Sequence, residues 1–155
     1  MRAALQRNKT YVKDFPQSDR KEFRDEWAKL IKQAAKKYKK AGTTDKAHCS
    51  TIANITNHLS ERFGKDLVGG RMRYGTSQKA FNLYLKFLWR LGYIPMPPHC
   101  PIDGIVLRSA KLEGSWTKSD CPKEYINWII ALRAFAHPHP IGNWEYELWN
   151  QAPAR

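Results

Sequence analysis

The stretch Ser77-Gln78-Lys79-Ala80-Phe81-Asn82-Leu83-Tyr84-Leu85-Lys86-Phe87-Leu88-Trp89-Arg90-Leu91-Gly92 decides the fold. Its apolar side chains fall on nearly every face of a 3.6-residue repeat, so Ser77–Leu91 is predicted to be a helix. Gly92 is placed to end it. A helix apolar almost all round belongs in the middle of a domain, with other helices covering it. Working outward, no stretch shows the strict alternation of a half-buried strand, and no repeat is visible. The chain reads as all-α, a single compact domain of about six helices.

On the N-terminal side, Phe23, Trp27, Leu30, Ile31, Ala34 and Tyr38 repeat at helical spacing, which predicts a helix over Asp19–Lys40. Ala41-Gly42-Thr43-Thr44 breaks it. A second helix is expected over Asp45–Phe63, with Thr44 or Asp45 as cap, Ile52, Ile55, Leu59 and Phe63 on one face, and Gly64 at its end. Lys65–Ser77 is basic and glycine-rich and reads as a loop or tight hairpin. On the C-terminal side, Tyr93–Pro101 holds four prolines and cannot be helical. Helices are expected over Asp103–Leu112, from Asp120 or Pro122 to Phe135, and over Trp144–Asn150 behind an Asn143 cap. His137-Pro138-His139-Pro140 reads as a rigid extended link. Residues 1–15 read as a basic N-terminal arm of weak order, and residues 16–155 as the helical domain.

The charge is one-sided. Of 155 residues, 27 are Lys or Arg and 14 are Asp or Glu, a formal charge of +13. Residues 1–40 carry 13 basic and five acidic side chains, residues 41–92 eight and three, and residues 93–155 six and six. A basic field confined to the first 92 residues favours a polyanion, most often nucleic acid. Lys36, Lys37 and Lys40 crowd the end of the first long helix, where cations also suit the helix dipole. Hydrophobic residues make up 42% of the chain, which excludes a wholly disordered one. No apolar run is long enough to span a bilayer, and no secretory leader follows Met1. Cys49, Cys100 and Cys121 are too few and too odd for a disulfide framework. The expected setting is therefore cytoplasmic, nucleoid-associated in a bacterium or phage, and the expected state is a monomer.

One arrangement carries candidate chemistry. The basic turn Arg71–Ser77 leads into the central helix through Gln78-Lys79-Ala80-Phe81-Asn82, and Pro101-Ile102-Asp103 opens a later helix after the proline-rich crossing. This resembles the helix-hairpin-helix DNA glycosylases of the endonuclease III type. The match runs over part of the chain only. It reads Tyr74-Gly75-Thr76-Ser77 where the family has Gly-x-Gly. The resemblance implies a DNA-bound enzyme that excises a modified or damaged base, with Lys79 and Asp103 as the catalytic pair. It further implies that Arg71, Arg73, Gly75 and Thr76, with Ser77 and Gln78 beside them, hold the DNA, while the basic face adds Lys36, Lys37 and Lys40 and an exposed Tyr74 can stack on a base.

The chemistry asks for those residue types. A base must leave the stack before it can be attacked, so the enzyme needs a firm hold on phosphate. A lysine on an apolar helix has little water to favour its ammonium form and can add as an amine to C1′ of the sugar. A nearby carboxylate stabilises positive charge developing on the sugar and can relay protons. Each residue also has a plain structural use. Asp103 fits an ordinary N-cap, Lys79 a solvated first turn, and Asn82 the holding of a loop backbone. His48-Cys49, His99-Cys100, His137 and His139 lack zinc-site spacing, so no metal and no cofactor are expected. Trp116, Trp128, Trp144 and Trp149 read chiefly as core. Two alternatives stand beside the enzyme: a non-enzymatic module that binds DNA or RNA through the same basic face, and a small phage or defence protein that meets an acidic partner.

Overall fold

A computed structural model describes residues 2–5, 8–40 and 42–151. The fold is all-α. A single turn, α1 (Arg2–Leu5), precedes α2 (Gln17–Ala35), α3 (Asp45–Phe63), α4 (Tyr74–Arg90), α5 (Gly104–Ser109), α6 (Pro122–Ala136) and α7 (Ile141–Gln151). Short 3-10 turns follow α2 at Lys36–Lys39 and α3 at Gly64–Asp66. Among the described residues there is no strand, only one isolated antiparallel bridge between Tyr11 and Leu67. No described helix is long and apolar enough to cross a membrane.

The central helix is α4, which packs against α1, α2 and α3, while α6 packs on α3 and α7. Its first half is wholly enclosed, from Tyr74 through Asn82, and Phe81 and Leu85 have no exposed surface. The second half departs from expectation. Phe87 and Leu91 are more than half exposed, so the helix is buried at one end and superficial at the other. Trp27, Phe23, Phe63 and Tyr11 form an aromatic cluster under α2, with ring centroids 5.3–5.7 Å apart. Each such pair adds about 1 kcal/mol beyond its area burial.

Four local expectations need correction. The described part of residues 1–15 is not a loose arm. Val12 N–H donates to Asp66 O and Val68 N–H to Thr10 O, both at 3.0 Å, while Ala4 and Phe15 are buried. Tyr11, Val12 and Phe15 supply the apolar reason, hidden in sequence among charged neighbours; Met1, Gln6 and Arg7 lie outside the described residues. The expected Asp19–Lys40 helix tightens to a 3-10 turn at Lys36–Lys39. That turn keeps Tyr38 inward while Lys36, Lys37, Lys39 and Lys40 stay exposed. Helix α4 begins at Tyr74 rather than Ser77, so the last four residues of the expected Lys65–Ser77 loop or hairpin form its first turn. The link His137–Pro140 is a turn, not an extended spacer. His139 N–H donates to Ala136 O at 2.9 Å, and α7 starts just after Pro140 without an Asn143 cap.

Candidate active site around Lys79 and Asp103

Helix α4 carries Lys79 in its second turn, on the face that meets the chain leading into α5. Asp103 is the N-cap of α5, as its position before Gly104 implied. The two oxygens of its carboxylate divide the work. Oδ1 accepts from Ile105 N–H at 2.8 Å and Val106 N–H at 3.1 Å, and Oδ2 accepts from Lys79 Nζ at 3.0 Å. The side chains of Lys79 and Asp103 are only 11% and 7% exposed. The Trp116 ring closes over the ammonium with its centroid 4.5 Å from Nζ, a cation–π contact in a dry setting. The two residues singled out from the sequence are thus in direct, enclosed contact.

A second buried ion pair lies two turns further along α4. Lys86 Nζ sits 2.7 and 2.9 Å from the carboxylate oxygens of Glu145 on α7, beneath the rings of Tyr146 and Trp149. Burial raises the Glu145 carboxyl, the charge of Lys86 opposes that rise, and Asp103 and Lys79 both reach it electrostatically. Nothing in the sequence reading had marked Lys86 or Glu145, although Lys79 and Lys86 are seven apart and share one helix face.

The chain that brings Asp103 to Lys79 is held by two amides of α4. Gln78 Nε2 donates to Ile102 O at 2.6 Å, and Ile102 N–H donates to Gln78 Oε1 at 3.1 Å. Asn82, one turn on, turns its Nδ2 toward Gln78 Oε1, Cys100 O and Tyr125 Oη at 2.9–3.2 Å. Its Oδ1 is 2.8 Å from His48 Nε2. Asn82 therefore holds loop backbone. The network continues from Tyr125 Oη to His99 Nδ1 at 2.8 Å, and from His99 Nε2 to Asp45 at 3.0 Å. Asp45 meets Arg133 in a two-pronged pair at 2.6 and 2.8 Å, and Tyr38 Oη closes the other end on His48 Nδ1. In sequence, His48-Cys49 and His99-Cys100 offer metal ligands at most, and Cys100 a thiol that is either reactive or structural. Their adjacency to cysteine carried no information about this use. Cys100 is buried and its thiol is pushed well up by that burial, which suits a structural residue.

The two histidines make the fold acid-sensitive. Burial is the main reason that His48 falls to about 3, aided by the nearby His99, and burial likewise takes His99 to about 4 against the pull of Asp45. Both lie below the ordinary value near 6.5, so the unfolded chain binds more protons than the folded one below that pH. Stability is full above pH 6.5 and falls as pH drops toward 4, by up to roughly 1.4 kcal/mol per pH unit for each histidine. Urea midpoints at pH 7.5 and pH 5 test this, and equal midpoints would contradict it.

The residues expected to grip DNA divide sharply. Lys36, Lys37 and Lys40 are exposed, and Lys37 and Lys40 line a cleft of about 490 Å³ with Tyr38, Ala47, Thr51 and Asn54. Arg71 is about half exposed and lies 3.6 Å from Asp120. Arg73 is paired with Asp120 and is more enclosed. Tyr74, Gly75, Thr76, Ser77 and Gln78 are buried. The start of α4 is satisfied from within: Tyr74 N–H donates to Asp120 Oδ1 at 3.2 Å and Gly75 N–H to Ser119 O at 2.9 Å, and Thr76 Oγ1 accepts from Asn8. Tyr74 Oη donates to Cys49 O. Gly75 is required here because a Cβ would run into the Trp116 carbonyl oxygen. A phosphate does not reach these five residues in this conformation; the glycine seats the loop that carries Trp116 instead.

No known family, curated protein or solved structure matches the chain.

Proposed function

We propose that this chain binds DNA and acts as a DNA glycosylase/lyase on a modified or damaged base, with Lys79 as nucleophile and Asp103 as its acid–base partner. The observation that carries this reading is the enclosed contact of Lys79 Nζ with Asp103 Oδ2 at 3.0 Å, under the Trp116 ring. The direct contact gives a proton on Nζ a one-bond path to Oδ2 with no intervening water.

In that reading the pair works in two steps. Asp103 Oδ2 takes a proton from the Lys79 ammonium, and the free amine adds to C1′ of the extruded nucleotide as the base leaves with the bonding electrons. On an abasic sugar the open-chain aldehyde plays the same part: the amine adds, water is lost, and an imine joins Lys79 to C1′. The fixed Oδ1 bonds to the start of α5 hold the carboxylate still while Oδ2 exchanges the proton. Of the residues expected to hold DNA, Arg71, Lys36, Lys37 and Lys40 are the exposed cations available to phosphate.

Sodium borohydride added to the protein with a duplex bearing one abasic site reduces such an imine to a stable amine. A covalent protein–DNA adduct is the expected result, and its absence at saturating protein overturns the lyase chemistry. A second reading, a nucleic-acid-binding module without chemistry, is favoured by one feature. The Lys79 ammonium is held by Asp103 and covered by Trp116, both of which favour its charged form, as in a purely structural pair.

A further inference from the structure

Gln78 stands immediately before Lys79, and Ile102 immediately before Asp103. Both ends of the Gln78 amide are spent on the Ile102 backbone, its Nε2 on the carbonyl and its Oε1 on the N–H, at 2.6 and 3.1 Å. Gln78 has no exposed surface and neither has Ile102. Asn82 Nδ2 fixes which way the Gln78 amide faces by donating to the same Oε1 at 3.2 Å, and it ties Cys100 O as well. Further back the crossing is held by His99 on Tyr125 and Asp45 and by Arg133 on Pro98 O, so Gln78 is the side chain that holds the residue next to Asp103. Residues 93–103 form no helix, and Pro101 has no N–H to give. The N-cap bonds of Asp103 run to α5, so they travel with α5 and fix nothing relative to α4.

We infer that Gln78 is a positioning residue whose two-bond clasp on Ile102 sets the register of Asp103 against Lys79. The inference deepens the proposed glycosylase/lyase reading and rests on it for its chemical consequence, though the clasp itself is a matter of geometry. A paired donor and acceptor on one rigid side chain fixes orientation as well as distance, which a single hydrogen bond does not. An apolar residue at 78 would leave the Ile102 N–H and carbonyl without partners inside the protein, and the crossing would shift to recover them. Because α4 carries both Gln78 and Lys79, any such shift changes the Lys79–Asp103 separation directly. Misplacement by about 1 Å is enough to cost roughly a hundredfold in rate where a proton must pass between two groups.

The test uses the full chain with Gln78→Leu, which removes both bonds, and Gln78→Glu, which keeps an acceptor for the Ile102 N–H. Two readouts are taken. The first is reductive methylation of Lys79 by formaldehyde and cyanoborohydride, followed by peptide mass spectrometry, with exposed Lys37 and buried Lys86 as internal references. The second is the rate constant, not the final amount, of borohydride-trapped adduct on the abasic duplex with protein in excess. In Gln78→Leu, Lys79 is expected to methylate faster while Lys86 keeps its wild-type rate, and the adduct rate to fall roughly a hundredfold with duplex affinity unchanged. Gln78→Glu is expected to lie between, and it serves alone if Gln78→Leu does not fold. General destabilisation would instead speed Lys79 and Lys86 together and lower the amount of adduct rather than its rate. That pattern, or wild-type methylation of Lys79 in a folded variant, overturns the inference. If the wild-type protein forms no adduct, the enzymatic reading fails while the methylation comparison still decides the clasp.

Discussion

Replacing Asn82 by leucine is expected to destabilise the fold by about 4 kcal/mol. The side chain is fully buried, and leucine keeps its branched shape but is bulkier, so overpacking adds to the polar loss. Four groups lose a partner at once: His48 Nε2, Gln78 Oε1, the Cys100 carbonyl and Tyr125 Oη. An orphaned buried polar group costs about 1–3 kcal/mol, and Gln78 and Tyr125 keep other partners, so the sum stays below the simple total. Asn82→Asp should be no milder. It keeps the acceptor for His48 but turns a second acceptor toward Gln78, Cys100 and Tyr125 and buries a charge. At about 3 °C per kcal/mol for a chain of this size, Asn82→Leu should melt roughly 12 °C lower. A melting point within a few degrees of wild type would mean that the network does not organise the core.

Among substitutions that keep the nucleophile, the largest effect on chemistry is expected from Asp103→Asn. Asparagine caps a helix about as well as aspartate, so α5 should persist. The amide can also accept from Lys79, but it carries no charge and takes no proton. Leaving the lysine without its counter-charge destabilises the site, moderated by the 11% of the Lys79 side chain that reaches water. The rate of adduct formation on an abasic duplex should fall by roughly 10²–10⁴-fold, the usual worth of a positioned acid–base group. A variant that stays folded and reacts at the wild-type rate would leave Asp103 as a cap and nothing more.

The helices were legible because their signals are local. Asp45–Phe63 emerged with its cap and both ends in place, since Thr44, the Ile52–Ile55–Leu59–Phe63 stripe and Gly64 all agree. Asp103 was legible as an N-cap for the same reason. Its meeting with Lys79 was reached only through the family resemblance, because a pairing across the proline-rich crossing leaves no periodic trace. The burial of Tyr74–Gln78 was not legible: a basic, glycine-bearing segment looks like a surface loop, and only the approach of Trp116 and Ser119 shows what Gly75 is for. The polar network escaped for a related reason. His48, Asn82, His99 and Tyr125 come from distant parts of the chain, and each alone passes for an isolated polar residue. The exposed ends of α4, Phe87 and Leu91, escaped because apolar periodicity reports what a helix could bury, not what is present to cover it.

The most direct test is to locate the reduced bond. Wild-type protein is incubated with an abasic duplex and borohydride, the adduct is digested, and the modified peptide is sequenced by mass spectrometry beside a Lys79→Ala control. If Lys79 is the nucleophile, a single modified lysine is found, it is Lys79, and the control gives no adduct although it still binds the duplex. An adduct on an exposed lysine such as Lys37, or one that survives in Lys79→Ala, would contradict it.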